Sequence, residues 1–416
     1  MNSSVFLKAF EYCLLPALTK SLKLSDLQMG FRSNSNCMNT VMILKELICN
    51  YNNEGSNVHC AFVDLSKAFD EIDHEILINK LRSTNLSIQL INIIEFMLKN
   101  SNIHVAFSQT VGSSWKSKLG TRQGGILSPL LFNFYLKDTV QKIASKDEGC
   151  FLGSSKCNIL AYADDLILMA PSANGLQKLV CTIGESIKQL KLRVNGDKSK
   201  YMVFKHKRKL DINSSIYLNE VLLERVYVYK YLGIMLNDDL SNGSDVERVM
   251  NNFLTQFNSL YHKFKFASQN VLHFLFKTYS SSFYGIELWY NDKNRSKNMH
   301  KMAVAYHKAI KRVVNMNTWD SNHIACEIIG VNLFQHLQAK RMFNYYRSVL
   351  KSKNHHIMKS KYYWNHISDI KKNIERIFAK YYEVEDVFNN EADAILSRID
   401  FIERNEPRRS FLNVQM

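Results

Sequence analysis

Residues 158–170, NILAYADDLILMA, constrain this chain more than any other stretch. Two apolar runs flank an adjacent pair of acids, Asp164 and Asp165. Short apolar runs rich in strand formers read as buried strands, and the acidic break between them reads as a hairpin turn. The turn predicted here is Asp-Asp, not the more usual Asn-Gly. A single acid in a turn has an ordinary explanation. Two acids hemmed in by Ile159, Leu160 and residues 166–169 must be kept in an apolar setting, and such perturbed carboxylates gather at functional sites.

A second strand signal, VHCAFVDL (58–65), also ends in an acid, Asp64. Alone, Asp64 would simply end a strand. Carboxylates packed together repel one another and persist when a divalent cation neutralises them. Oxygen donors in small number suit Mg²⁺, which keeps waters and shares its shell with phosphates. Two such ions roughly 3.5–4 Å apart stabilise the attacking and leaving oxygens of phosphoryl transfer. A third segment, GTRQGGILSPLLFNFYL (120–136), combines bendable Gly124 and Gly125 with the donors Arg122 and Gln123. Without the acids it would read as a loop entering a helix. Ser128-Pro129 marks that helix start, with Ser as cap and a predicted end near Lys137.

Composition narrows the class. The 416 residues are 46% hydrophobic and 12% aromatic, which excludes a mostly disordered chain. Only 15 Gly and 4 Pro exclude collagen-like character. No apolar run reaches the ~18 residues that span a bilayer, and MNSSVFLKAF does not read as a secretory signal. The eight Cys form no CxxC pair and no zinc-spaced quartet, so reduced thiols in an intracellular protein are expected. The 54 Lys and Arg against 38 Asp and Glu leave a net charge of +16. A polyanionic partner follows, nucleic acid first and an anionic membrane surface second.

Along the chain, residues 1–57 read as short helices and turns, with GFRSNSN (30–36) a loop and 39–50 helical. Asp73 caps a helix predicted to run to about Arg82, and Ser87 caps another to Lys99. Residues 175–192 read as a helix; 201–204 and 226–236 are strand-like. KHKRK (205–209) reads as a basic surface loop and NDDLSNGSD (237–245) as a linker. Beyond it the pattern is helical.

These segments together resemble the reverse transcriptase of a non-LTR (LINE-type) retrotransposon. GFR (30–32) resembles a fingers motif, FVDLSKAFDEIDH (62–74) the first palm motif, and GTRQGGILSPLLFN (120–133) the second. YADD (162–165) resembles the third, LRVNGDKSKYMVF (192–204) the fourth, and YKYLGIML (229–236) the primer grip. A lone YADD is weak, but six motifs in order are specific. SKAFD with RQGG points to the LINE type. The resemblance covers roughly residues 10–240; YGIELWY (284–290) and the later helices resemble a thumb less specifically.

The resemblance implies an α+β right-hand polymerase with partial fingers (1–57), an antiparallel-sheet palm carrying a fingers insertion (58–240), and a helical thumb with a basic extension (246–416). It implies an RNA-directed DNA polymerase that joins a dNTP to a primer 3′-OH on an RNA template. Asp64, Asp164 and Asp165 would hold two Mg²⁺ ions, with Mn²⁺ a substitute and the Leu65 carbonyl a further ligand. Lys198 is the implied proton donor to pyrophosphate, with Lys200 its rival. Arg32 and Arg122 would touch the nucleotide or template, Gln123 and Gly124 would pack near the nucleotide, and Phe69 would block a 2′-OH. Tyr231, Leu232 and Gly233 would steady the primer terminus. His74 is expected to cap or pack. Lys205, Lys207, Arg208 and Lys209 would neutralise phosphates. Tyr261, Phe264, Phe266, Tyr345 and Tyr346 read chiefly as core.

The implied partners are an RNA template, a DNA primer or target DNA, dNTPs, and an endonuclease supplied separately or upstream, with no membrane. Nucleus and cytoplasm are the expected locations. The family's Arg-Pro-Ile-Ser-like stretch has no match here, nor do an endonuclease domain, a Cys/His knuckle or an RNase H-like acidic set. The alternative expectation is therefore a catalytically silent nucleic-acid-binding relic. An RNA-processing factor related to intron maturases is a third.

Overall fold

The computed structural model describes residues 5–33, 35–103, 106–107, 110–206, 214–280, 282–289 and 295–357. The described residues fall into two compact units, 5–227 with 354–357 and 228–353.

The first unit is built on β1, Val58–Ser66, whose residues Val58 to Val63 are all buried. Consecutive burial means that both faces of the strand are covered there. It runs antiparallel to β3 (Asp165–Ala170) on one side and to β5 (Lys200–Phe204) on the other. β2 (Ile159–Tyr162) adds to β3, β4 (Arg193–Val194) pairs with the end of β1, and β6 (Glu224–Arg225) lies parallel to β5. The order is β6-β5-β1-β3-β2. Helices α1 (Val5–Ser21), α2 (Cys37–Asn53), α3 (His74–Arg82), α4 (Ile88–Lys99), α5 (Ser128–Ala144) and α6 (Ala173–Gln189) complete the unit. α6 packs on β1 and β3, and α5 packs on α6 and β2.

Local signals set several helix starts. Asp73 accepts the amides of Glu75 and Ile76, and Ser87 accepts that of Leu90, as the sequence predicts. Asn36 and Ser172 cap α2 and α6 in the same way.

Three expectations need correction. Ser128 is the first helical residue of α5, not its cap: its Oγ donates to the Arg122 carbonyl. α5 also continues past Lys137 to Ala144, because Thr139, Val140 and Ile143 still point into the core. The strand-like stretch 226–236 is a hairpin, β7 (Val228–Tyr231) and β8 (Ile234–Asn237), folded over Leu232 and Gly233. Leu232 takes φ 47° and Gly233 φ 79°, a left-handed pair that a Leu conceals from sequence reading.

That hairpin begins the second unit. α7 (Gly243–Phe264), α8 (Gln269–Leu275), α9 (Arg295–Val313), α10 (Asn322–Ile329) and α11 (Phe334–Leu350) follow. Phe253, Phe257, Phe276, Phe283, Tyr306 and Phe334 fill its core. Tyr261 packs against that core and Tyr345 is buried, whereas Phe264 and Phe266 at the end of α7 are exposed and do not belong to it. Residues 237–245 connect β8 to α7 inside this unit, with Asp245 buried. All eight cysteines are free. No described helix is long and apolar enough to cross a membrane.

Candidate active site

The ladder register brings the acids together. Asp64 on β1 stands directly opposite Asp165 on β3, and Tyr162 pairs with Asp165 across the hairpin. The two turn residues are therefore Ala163 and Asp164, and Asp165 opens the second strand; the expected Asp-Asp turn is shifted by one. Ala163 takes φ 55°, a strained conformation for alanine. The neighbouring segment holds it there. Met29 N–H donates to the Ala161 carbonyl and Ala161 N–H to that of Leu27, at 2.8 and 2.9 Å. Gly30 lies so close to the turn that a Cβ on it would stand 2.7 Å from the Ala163 nitrogen, which explains the Gly of GFR.

Burial pushes the Asp164 carboxyl above its ordinary pKa, and the charge of Asp64 adds to the effect. Asp165 is pushed up to about 6, first by burial and then by Asp164 and Asp64. Lys198 offsets both partly. Such mutual elevation marks carboxylates crowded without sufficient counter-charge. Among the described residues no three His, Cys, Asp or Glu side chains close into a preformed metal cage. Mg²⁺ does not demand one, because it binds through one or two carboxylates, waters and substrate phosphates. The donor set at this edge is all hard oxygen and fits that ion.

The backbone of Asp64 is fixed by the turn between β4 and β5. Its N–H donates to Ser199 Oγ at 3.2 Å, and its carbonyl accepts Asn195 N–H at 2.8 Å. Lys198 Nζ lies 3.8 Å from Asp64 Oδ2. Lys200 Nζ instead pairs with Glu224 at 2.6 Å. Of the two lysines, Lys198 is the one beside the acids. Leu65 pairs with Val194 in the ladder, and its side chain is buried.

The loop 120–127 is tied to the first palm motif. Thr121 N–H donates to the Phe69 carbonyl and Gly120 N–H to that of Ile72, both at 2.8 Å. Gln123 Nε2 donates to the Asp70 carboxylate at 2.9 Å, and Arg122 Nε to Ser101 Oγ at 3.0 Å. Gly124 takes φ 79°. Phe69 is half-buried, its ring 4.7 Å from that of Phe132 and edge-on to exposed Phe31 at 6.4 Å. Packing is thus one role of Phe69. Arg32 turns toward its own loop: its guanidinium donates to the Ser25 carbonyl at 2.7 Å and lies 3.2 Å from Asp26. His74 packs and meets the Gly120 carbonyl at 2.7 Å.

Tyr231, Leu232 and Gly233 belong to the second unit. Tyr231 is buried, and Tyr284 Oη donates to the Leu232 carbonyl at 3.0 Å. A Cβ on Gly233 would lie 3.1 Å from the Tyr284 ring. Lys205 is described, whereas Lys207, Arg208 and Lys209 lie outside the described residues.

Sequence reading missed Glu11, Ser199, Asn195 and Asp70. Ser199 and Asn195 flank Lys198 in the fourth palm motif, so that motif could have suggested them. Glu11 carries no local signal, because its partners, the amides of Ile126 and Leu127, lie more than a hundred residues away.

The family model described as reverse transcriptase (RNA-dependent DNA polymerase) matches residues 2–236. The Pol polyprotein of the type-1 retrotransposable element R2 of Nasonia vitripennis is 28% identical over 56% of this chain and 24% of its own length. That of the type-2 element R2DM of Drosophila melanogaster is 26% identical over 56% of this chain and 22% of its own. The chain thus spans about a quarter of the length of the curated relatives it matches. A solved apo telomerase from Candida Tropicalis aligns over 94% of this chain and 61% of its own at 12% identity, with a TM-score of 0.43. The family match spans more than half of the chain and takes in all three acids with the loop beside them, so the chain belongs to the reverse transcriptase family, among the relatives of non-LTR retrotransposons.

Proposed function

We propose that this chain performs RNA-directed DNA synthesis, transferring a nucleotide from a dNTP to a primer 3′-OH on an RNA template. The observation that carries the proposal is the register placing Asp64 opposite Asp165, with Asp164 in the adjoining turn. Asp64, Asp164 and Asp165 would hold two divalent ions, Mg²⁺ or Mn²⁺, with the Leu65 carbonyl as a further ligand. When bound, such ions neutralise charge on the attacking and leaving oxygens.

The chain's own residues do the rest. Lys198, beside Asp64, would give a proton to the departing pyrophosphate oxygen. Phe69, held between Phe31 and Phe132, presents an aromatic edge to the sugar. Gln123 and Gly124 line the nucleotide on the loop side, with Arg122 behind them. Arg32 braces the loop over the acid turn. Tyr231, Leu232 and Gly233 are proposed to steady the primer end. Proposed partners are an RNA template, a DNA primer or target DNA, dNTPs and an endonuclease activity supplied separately or upstream. Binding through lysines and arginines makes a steep salt dependence the expected signature.

The test is primer extension on an RNA template with a DNA primer, in Mg²⁺ and in Mn²⁺, with Asp164→Ala beside the wild type. Extension by the wild type alone is expected. Extension retained by Asp164→Ala would overturn the metal-site assignment. Salt-sensitive primer–template binding without extension by either protein would favour a silent binding protein.

A further inference from the structure

We propose that Glu11, on α1, is a positioning residue for the nucleotide-site loop 120–127. The proposal rests on the polymerase reading above. Glu11 is buried, and a buried carboxylate persists only when hydrogen bonds replace its water. Its Oε2 accepts the backbone N–H of Ile126 at 2.5 Å and that of Leu127 at 3.3 Å.

Those two amides belong to the entry of α5. The residue at the cap position, Leu127, offers no side-chain acceptor. A helix start leaves several N–H groups without a partner in the helix, and its end carries partial positive charge. Glu11 answers both from another helix, 115 residues away in sequence. With a carboxylate already there, the entry of α5 is neutralised and does not compete for a triphosphate.

The contact is as close as the backbone permits. A Cβ at Gly125 would lie 2.8 Å from Ser128 Oγ and 3.2 Å from Glu11 Oε2. Under the loop lies a cavity of about 30 Å³ lined by Glu11, Ile94, Ser101, Arg122, Leu127 and Leu131. Leu127 and Leu131 are buried there, and the hydrogen bonds to Glu11 add the direction that apolar contact lacks. On the outer side Gln123 and Gly124 are exposed. Pulling in the amides of 126 and 127 fixes where those two residues are presented to the incoming nucleotide.

The experiment uses the full chain and four proteins: wild type, Glu11→Ala, Glu11→Gln and Glu11→Asp. Primer extension gives KM for dNTP and kcat separately, primer–template affinity is measured beside them, and hydrogen exchange reads amides 123–127 without substrate. Losing the acceptor should raise the dNTP KM about tenfold in Glu11→Ala, the factor expected for loss of a charge-assisted hydrogen bond. Primer–template affinity should hold, and exchange at 123–127 should quicken. Glu11→Gln keeps an acceptor oxygen and should restore KM to within about threefold. A Glu11→Ala protein with wild-type KM, or with losses that follow only its folded fraction, would overturn the proposal. If Glu11→Ala does not fold, Glu11→Asp decides: its shorter arm keeps the charge but moves the loop, so a raised KM supports the proposal and an unchanged one refutes it. If wild type and Glu11→Gln both fail to extend while amides 123–127 stay protected, the polymerase reading has failed and the nucleotide role of Glu11 falls with it.

Discussion

The two units each carry a tight hairpin and a nearby acid, and they treat the acid in opposite ways. In the first, the turn Ala163-Asp164 presents carboxylates opposite Asp64, and burial with mutual repulsion raises the pKa of Asp164 and Asp165. In the second, the turn Leu232-Gly233 joins strands that lean on buried Asp245. That carboxylate accepts Met235 N–H at 3.0 Å, Arg248 Nε at 2.7 Å and Trp289 Nε1 at 2.7 Å. One group of acids is left short of counter-charge; the other acid is fully engaged. The first arrangement costs stability and is the one to which the proposed chemistry is assigned, whereas the second ties hairpin to helix. Electrostatic satisfaction, more than acidity or burial, separates a reactive carboxylate from a structural one.

The contrast can be broken most severely at Asp164. Asp164→Ala should lower primer extension by on the order of 10³-fold or more, the loss expected when several kcal/mol of charge stabilisation disappear. Its urea midpoint should match or exceed that of the wild type, since repulsion is relieved. Asp245→Ala should do the reverse. Removing it takes the counter-charge from Arg248 and strands the Trp289 N–H, costing about 3–5 kcal/mol in urea unfolding. A midpoint for Asp245→Ala near that of the wild type would erase the distinction.

Loss of the Glu11 acceptor, with its expected tenfold rise in dNTP KM, comes next.

The pH profile sharpens the difference. In chelator-treated protein Asp165 keeps its proton up to about pH 6 when folded and releases it near pH 4 when unfolded. Between those values the unfolded chain binds fewer protons, so this group lowers stability as pH rises. The shift corresponds to about 3 kcal/mol, reduced to about 1–2 kcal/mol by partial solvent exposure. Asp165→Asn should lack this fall, so its urea midpoint should pull ahead of the wild type's between pH 4 and pH 6.5. Parallel profiles would argue against crowding.

The two turns provide the mildest test. Gly233→Ala forces a side chain to φ 79° and toward the Tyr284 ring, and should cost about 1–2 kcal/mol. Ala163→Gly relieves a strained φ but loosens the unfolded chain, and the two effects should cancel to within about 0.5 kcal/mol. Equal melting temperatures for both variants would show that the turns are under the same strain.

Much of this site was legible because its signals are local. Asp73 and Ser87 cap their helices through amides two or three residues away. The apolar runs around 164–165 pair because both must bury. Turn details were less legible. Ala163 is drawn into the left-handed region by Gly30 and the Leu27–Met29 backbone, and nothing beside it in sequence says so. The 226–236 stretch looked continuous because Leu232 is a poor turn former. Phe264 and Phe266 looked like core because an aromatic at a helix end carries the same pattern whether or not a partner covers it.

By itself, then, the sequence determined which groups can do chemistry and which segments form elements, since residue identity, capping and burial periodicity act within a few positions. Only the tertiary structure decided which of them meet. Asp64 faces Asp165 because β1 and β3 align in one register. Lys198 reaches Asp64 while Lys200 is held by Glu224. Glu11 closes the entry of a helix more than a hundred residues away. Those meetings depend on burying distant apolar faces together, and a carboxylate or an ammonium leaves no mark in its own neighbourhood of where that burial will carry it.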